Sequence, residues 1–389
     1  TMLCAAMVSS AQPVLVSGFN GMAAVNGTTY HKTGTVGNPT GGFAFVCSSN
    51  DRMKFFGTWF LHQYLYFIDP SSFTITDSMN YTAYEITANN EPNTLFTRTN
   101  YGLSRINTAT KTVTDSIAIP SPQYTRERPN SKEVWVTSNN LMYVVNYASG
   151  LTSSSFSTSP VTTDNGEMKF TTGGSLCYKV AWTSNKVYKI NAATKAIIDS
   201  ASTAPSTPSG VAISGDSSKI FVSFPSDFKV RVYATATMSI IDSINTGTRE
   251  PFDMYRHPDR PEIWVVNHFK DSVSVYNEAS HALITAFDVN SSPHSLTFGL
   301  GTTSVHDNNA QASGISVYPN PACGLINITG IEGNTAVSLI DIAGRQALSV
   351  ISTGNTAVMD ARKLKPGMYY LKVNSMDNGA QYTTSLEIQ

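Results

Sequence analysis

Charge is what this sequence has least of. Lys, Arg, Asp and Glu make up 14% of its 389 residues, against about 25% in an ordinary soluble domain. The two signs cancel to a formal charge of −1. A nucleic-acid binder needs a strong basic excess to displace phosphate counterions, so that class of partner is excluded. Long apolar runs are missing as well. The run from Met2 to Val8 falls far short of the roughly 20 residues that cross a bilayer, and nothing later comes close, so no membrane span is expected. Cysteine is scarce: Cys4, Cys47, Cys177 and Cys323 are scattered and form no CxxC pair. That argues against a disulfide framework and a zinc site, and the last three are expected to be buried thiols. Familiar catalytic strings are absent too, with no HExxH, GxSxG or GKS/T. The seven histidines are dispersed along the chain.

In place of charge there is Ser and Thr, with 26 Gly, 18 Tyr and 18 Phe, a mixture suited to half-buried strands and tight turns. An all-β fold follows. Residues 1–11 end in Ser9-Ser10-Ala11, the small-x-small pattern of a cleavage site, and are read as a signal-peptide remnant. Beyond them the chain repeats itself. INTATKTVTDS from Ile106 and INAATKAIIDS from Ile190 nearly coincide, and weaker copies start at Val25, Ile68, Val145, Tyr233 and Tyr276. Seven copies at intervals of 38 to 45 residues match the spacing of propeller blades. An upstream block aligns without gaps at Ala83, Pro122, Pro208 and Pro251, each a strand, a turn and a second strand. Four strands per copy result. One such sheet has two apolar faces and cannot bury both alone, whereas seven stacked around an axis bury every face, so the ring must close. The first copy lacks an inner strand, and Pro293 to Phe298 reads as the orphan that completes it.

These features resemble the YVTN-type seven-bladed propellers, which include bacterial and archaeal surface proteins. The resemblance rests on the IN-x-x-T string and on Trp135-Val136, Phe221-Val222 and Trp264-Val265, and it spans residues 12–300. It implies a fold and little about function. Residues 301–313 read as a polar linker. Residues 314–389 resume strands in another idiom, expected to form a small Ig-like β-sandwich. They resemble the C-terminal sorting domain of type IX secretion cargo from Bacteroidetes. The match lies in Tyr318-Pro319-Asn320-Pro321, in Asp341 to Arg345 with Gly344, and in Leu364 to Tyr370 with Gly367 and Tyr369. The resemblance implies recognition by an outer-membrane translocon, cleavage by a sortase, and a secreted or surface-attached product.

One constellation points to a site. In the repeat alignment the third residue of the inner strand is Glu85, Tyr124, Gly210, Asp253, Ser295 in the closing strand, Phe45 in the second blade and, with one gap, Glu167. Three carboxylates in one register would ring the channel mouth. Converging oxygens suit Ca²⁺, the one candidate cofactor, or a sugar-like ligand. The alternative is a hydrated channel whose carboxylates pair with Arg126 or Arg249. Function is therefore read as binding of a carbohydrate, peptide or protein; the alternative is a lactonase-like hydrolase or lyase using these carboxylates and a divalent cation. A second pattern, Asp followed by Ser, places Ser78, Ser116, Ser200 and Ser243 in outer strands, with Asp271-Ser272 a further match. The Asp guards an edge strand; the string also resembles the O-glycosylation acceptor of Bacteroidetes.

Overall fold

The computed structural model describes residues 12–19, 21–37, 44–59, 63–158, 164–290, 292–300, 315–331, 333–341, 345–375 and 381–389. The signal-peptide and linker assignments lie outside these residues. Within 11–301, a single compact unit, strands form seven four-stranded antiparallel sheets. This is a seven-bladed β-propeller. The ring closes as its physics demands. Leu296–Phe298 pairs antiparallel with Pro13–Gly18, setting Val14 opposite Phe298 and Val16 opposite Leu296. At this seam the Ser17 and Ser295 hydroxyls lie 2.9 Å apart. Trp264, Val266 and Val273 of the last blade pack on Val14, Val16 and Phe298 of the first. Blade faces thus bury each other, which is where the apolar stabilisation of the ring resides.

The repeated string has a local cause. In six of the seven blades an Asn or Asp at the end of the third strand turns its side chain back onto the hairpin, while the strand Lys229–Ala234 ends in Ala234, before Thr235, instead. Asn107 Oδ1 accepts the N–H groups of Ala109 and Thr110, and Asn26, Asp69, Asn191 and Asn277 do the same in their blades. Such Asx turns fix the corner that a blade must repeat. Four residues on, the backbone enters the left-handed region at Tyr30, Lys111, Lys195 and His281. These side chains reach an acid of the preceding blade: Tyr30 donates to Glu262 at 2.6 Å, Lys195 to Glu133, Lys111 meets Asp77 and His281 meets Asp242. Trp135 and Trp264 are fully buried, and each indole N–H donates to the same acids, Glu133 and Glu262.

The C-terminal unit, within 302–389, stacks a three-stranded sheet on a four-stranded one. Ile326, Ile328 and Met359 of the first meet Val337, Leu339, Leu371 and Leu386 of the second, as expected of a small sandwich. Gly367 starts a strand at φ +149°, a conformation that side chains rarely adopt, which explains glycine there. The Tyr369 hydroxyl donates to the Lys365 carbonyl at 3.0 Å. Tyr318, Pro319, Asn320 and Pro321 are exposed, and Asn320 accepts the Glu387 N–H at 3.0 Å. Gly344 lies outside the described residues. One expectation fails: among the cysteines, Cys177 is buried and Cys47 partly so, but Cys323 is exposed, because it follows Ala322, whose own side chain takes the core position.

Candidate functional site

Inner strands alternate their side chains, so every second residue faces the axis. Three i, i+2 pairs line one cavity this way: Tyr124 with Arg126, Glu167 with Lys169, and Asp253 with Tyr255. Glu85, Phe45, Gly210 and Ser295 join them around about 430 Å³ of space. The cavity runs along the inner strands to Asn50, Arg52 and Pro258, in the turns where those strands end. The carboxylates are not at an exposed mouth. Glu85, Glu167 and Asp253 are 4%, 2% and 8% exposed, because neighbouring inner strands converge around them.

Arg126 spans two blades. Its Nη1 sits 2.5 Å from Glu85 Oε1 and its Nη2 2.8 Å from a Glu167 oxygen. Glu85 also accepts the Thr125 N–H at 2.7 Å, and Glu167 the Met168 N–H at 3.1 Å. Asp253 accepts from the Met254 N–H at 2.7 Å and the Tyr255 hydroxyl at 2.5 Å. Lys169 stands 3.6 Å from Glu167 and 4.5 Å above the Tyr255 ring. Two of the three carboxylates therefore share two cations in one buried layer, and Asp253 beside them is held by uncharged donors. Burial pushes the Glu167 carboxyl up to about 7, more than Arg126 and Lys169 pull it down. Burial likewise raises the Tyr124 and Tyr255 hydroxyls well above their usual range, with the carboxylates adding to it.

Two neighbours complete the layer. Gly210 is glycine because a Cβ there would lie 2.5 Å from the Phe252 carbonyl oxygen, so the strand carrying Asp253 comes this close only past a missing side chain. His294 packs edge-on against Phe45 at 4.9 Å, and burial lowers its pKa to about 4. Ser295 does not offer its hydroxyl to the channel; it clasps Ser17 and accepts the Val46 N–H at 3.2 Å. Arg249 is not among the cavity-lining residues. Its backbone closes a turn with Thr246, and Arg126 alone supplies the bridging guanidinium. Among the described residues no three His, Cys, Asp or Glu side chains converge to hold a metal ion. Where Ca²⁺ was expected, a guanidinium already joins two of the three carboxylates.

Sequence reasoning missed Lys169, Tyr255 and His294. Strand periodicity held the signal for the first two, since each lies two residues beyond an aligned carboxylate. The outer serines fall where the Asp-Ser pattern put them. Ser78, Ser116, Ser200 and Ser243 are exposed, and each N–H donates to the preceding Asp at 2.7 to 2.8 Å. The Asp so occupies an edge N–H that a second chain would otherwise pair with. Ser272 differs, lying buried in a third strand.

A family model, the secretion system C-terminal sorting domain, matches residues 316–389. This segment is a type IX sorting domain. The sorting domain marks the protein for export through that machinery, with which it interacts, and for the cell surface. No helix among the described residues is long and apolar enough to cross a membrane. No curated protein matches the chain. Among solved structures, a crystal structure of a protein from Lactobacillus plantarum matches with TM-score 0.62 and 15% identity, covering 74% of this chain and 99% of that one. Likeness at that identity concerns the fold alone.

Proposed function

We propose that the protein is a surface-delivered binding propeller that holds a small polar ligand, a carbohydrate or a peptide segment, in its central cavity, and that a sortase processes its sorting domain. The observation that carries the reading is the cavity itself. Its volume of about 430 Å³ falls in the range of small-molecule sites, about 300 to 1,000 Å³. Its wall combines aromatic faces with polar groups whose charges are largely compensated. The hydrolase or lyase reading loses its support, since the carboxylates it would use are engaged by Arg126, Tyr255 and backbone N–H groups. Calorimetry of the full chain against glycan and peptide panels tests the proposal, with Ser209→Trp as the blocked control because Ser209 lines the cavity. Binding that the tryptophan abolishes supports it; binding that survives, or none in either panel, overturns it.

A modification reading has its own observation, the four exposed serines on outer strands. Those serines carry O-linked glycan in the native host. Intact-mass measurement showing no added sugar ends that reading.

A further inference from the structure

All but one of the charged side chains lining the cavity pair with a group of opposite sign. Arg126 serves Glu85 and Glu167, Lys169 faces Glu167, Arg256 is held by Glu278 at 2.7 Å, and Arg52 makes a bidentate pair with Asp259. Asp253 is the exception, held by two uncharged donors and left as the one surplus negative charge. An anionic guest would add to that surplus in this part-buried layer, and a cationic one would have to be desolvated together with Asp253, a cost that a buried ion pair does not generally repay. Hydrogen-bonding capacity remains nonetheless. The Tyr124 hydroxyl and the Lys169 ammonium line the cavity, and neither side chain makes a hydrogen bond to another described residue. Each carboxylate oxygen can accept more than the single bond most of them receive. Donors, acceptors and the faces of Tyr124, Tyr255 and Phe45 are thus offered together in one enclosure.

Hydroxyl groups on an apolar carbon ring both donate and accept while adding no charge. From this nearly balanced, part-buried layer and its spare donors we infer that the ligand is an uncharged carbohydrate, one sugar ring seated among Tyr124, Lys169 and Asp253. The inference rests on the binding reading above and narrows it. Glu167 fits the same picture, since burial pushes its carboxyl up to about 7 and the proton it takes up removes the surplus negative charge of the layer.

The test compares sugars of one ring shape. Calorimetry of the full chain against neutral hexoses, the matching uronic acids and the matching amino sugars should show the neutral member binding at least tenfold more tightly than either charged one. Tyr124→Phe, which removes one hydroxyl and little else, should weaken the neutral sugar about tenfold, the magnitude of one hydrogen bond in a desolvated site. A uronic acid or amino sugar binding as tightly as its neutral counterpart overturns the inference, as does an unchanged affinity in Tyr124→Phe. In both cases the binding propeller stands. Binding only by peptides likewise overturns the inference alone, whereas silence across sugars and peptides overturns both.

Discussion

The channel and the rim use the same chemical device with different physics. Arg126 joins two carboxylates whose side chains are 5% and 2% exposed. Lys111 meets Asp77 at the rim, where the side chains are 39% and 44% exposed. Water screens the second pair and leaves it nearly worthless, while the first cannot be undone without stranding charge in a dry layer. Between them stand the latches of Tyr30 on Glu262 and Lys195 on Glu133, made at blade interfaces and partly buried. An ion pair's contribution is therefore set by its place in the ring, not by its distance.

Breaking the pairs in turn should reproduce that gradient. Arg126→Ala should destabilise the propeller most, by about 3 to 5 kcal/mol in chemical denaturation, because it leaves Glu85 and Glu167 facing each other unbridged. A loss under about 1 kcal/mol would make the channel layer equivalent to the rim. Tyr30→Phe should cost about 1.5 to 3 kcal/mol, the range for a hydrogen bond to a charged acceptor. Asp77→Ala should leave the unfolding midpoint indistinguishable from wild type.

Proton uptake sharpens the contrast. Glu167 has its carboxyl raised to about 7 in the fold, against about 4.3 for an unperturbed glutamate. The folded state then holds a proton that the unfolded chain has released. Its contribution is complete below about pH 4.3 and is lost as the pH climbs to about 7. Wild-type stability should accordingly fall relative to Glu167→Gln across that window, and parallel curves would refute the assignment. The smallest effect expected is that of Ca²⁺. Millimolar Ca²⁺ should not move the unfolding midpoint of the propeller, since Arg126 already joins two of the carboxylates; a clear upward shift would reopen the cation site.

The blade count, the closing strand and the sorting motifs were legible because each depends on local chemistry repeated along the chain. An Asx turn needs Asn or Asp at one position, and Gly367 needs φ +149°, so these constraints surface as spelling. The register of Glu85, Glu167 and Asp253 was legible for the same reason. Their partners were less so. Arg126 and Arg249 are alike as residue types, and nothing local says which one faces the axis. Exposure misled in the same way at Cys323, where a neighbour, Ala322, occupies the core.

Strand period, turn residues and blade spacing by themselves determined a closed seven-fold ring and an exported tail, because hydrogen bonds and burial at short range dictate them. Only the tertiary structure decided that Arg126 stands between two glutamates from different blades, that Ser295 serves the seam, and that Asp253 is held by uncharged donors alone. Those outcomes depend on which side chains distant in sequence meet, 41 residues apart at Arg126 and 278 apart at the seam, and no local rule encodes which of them come within reach.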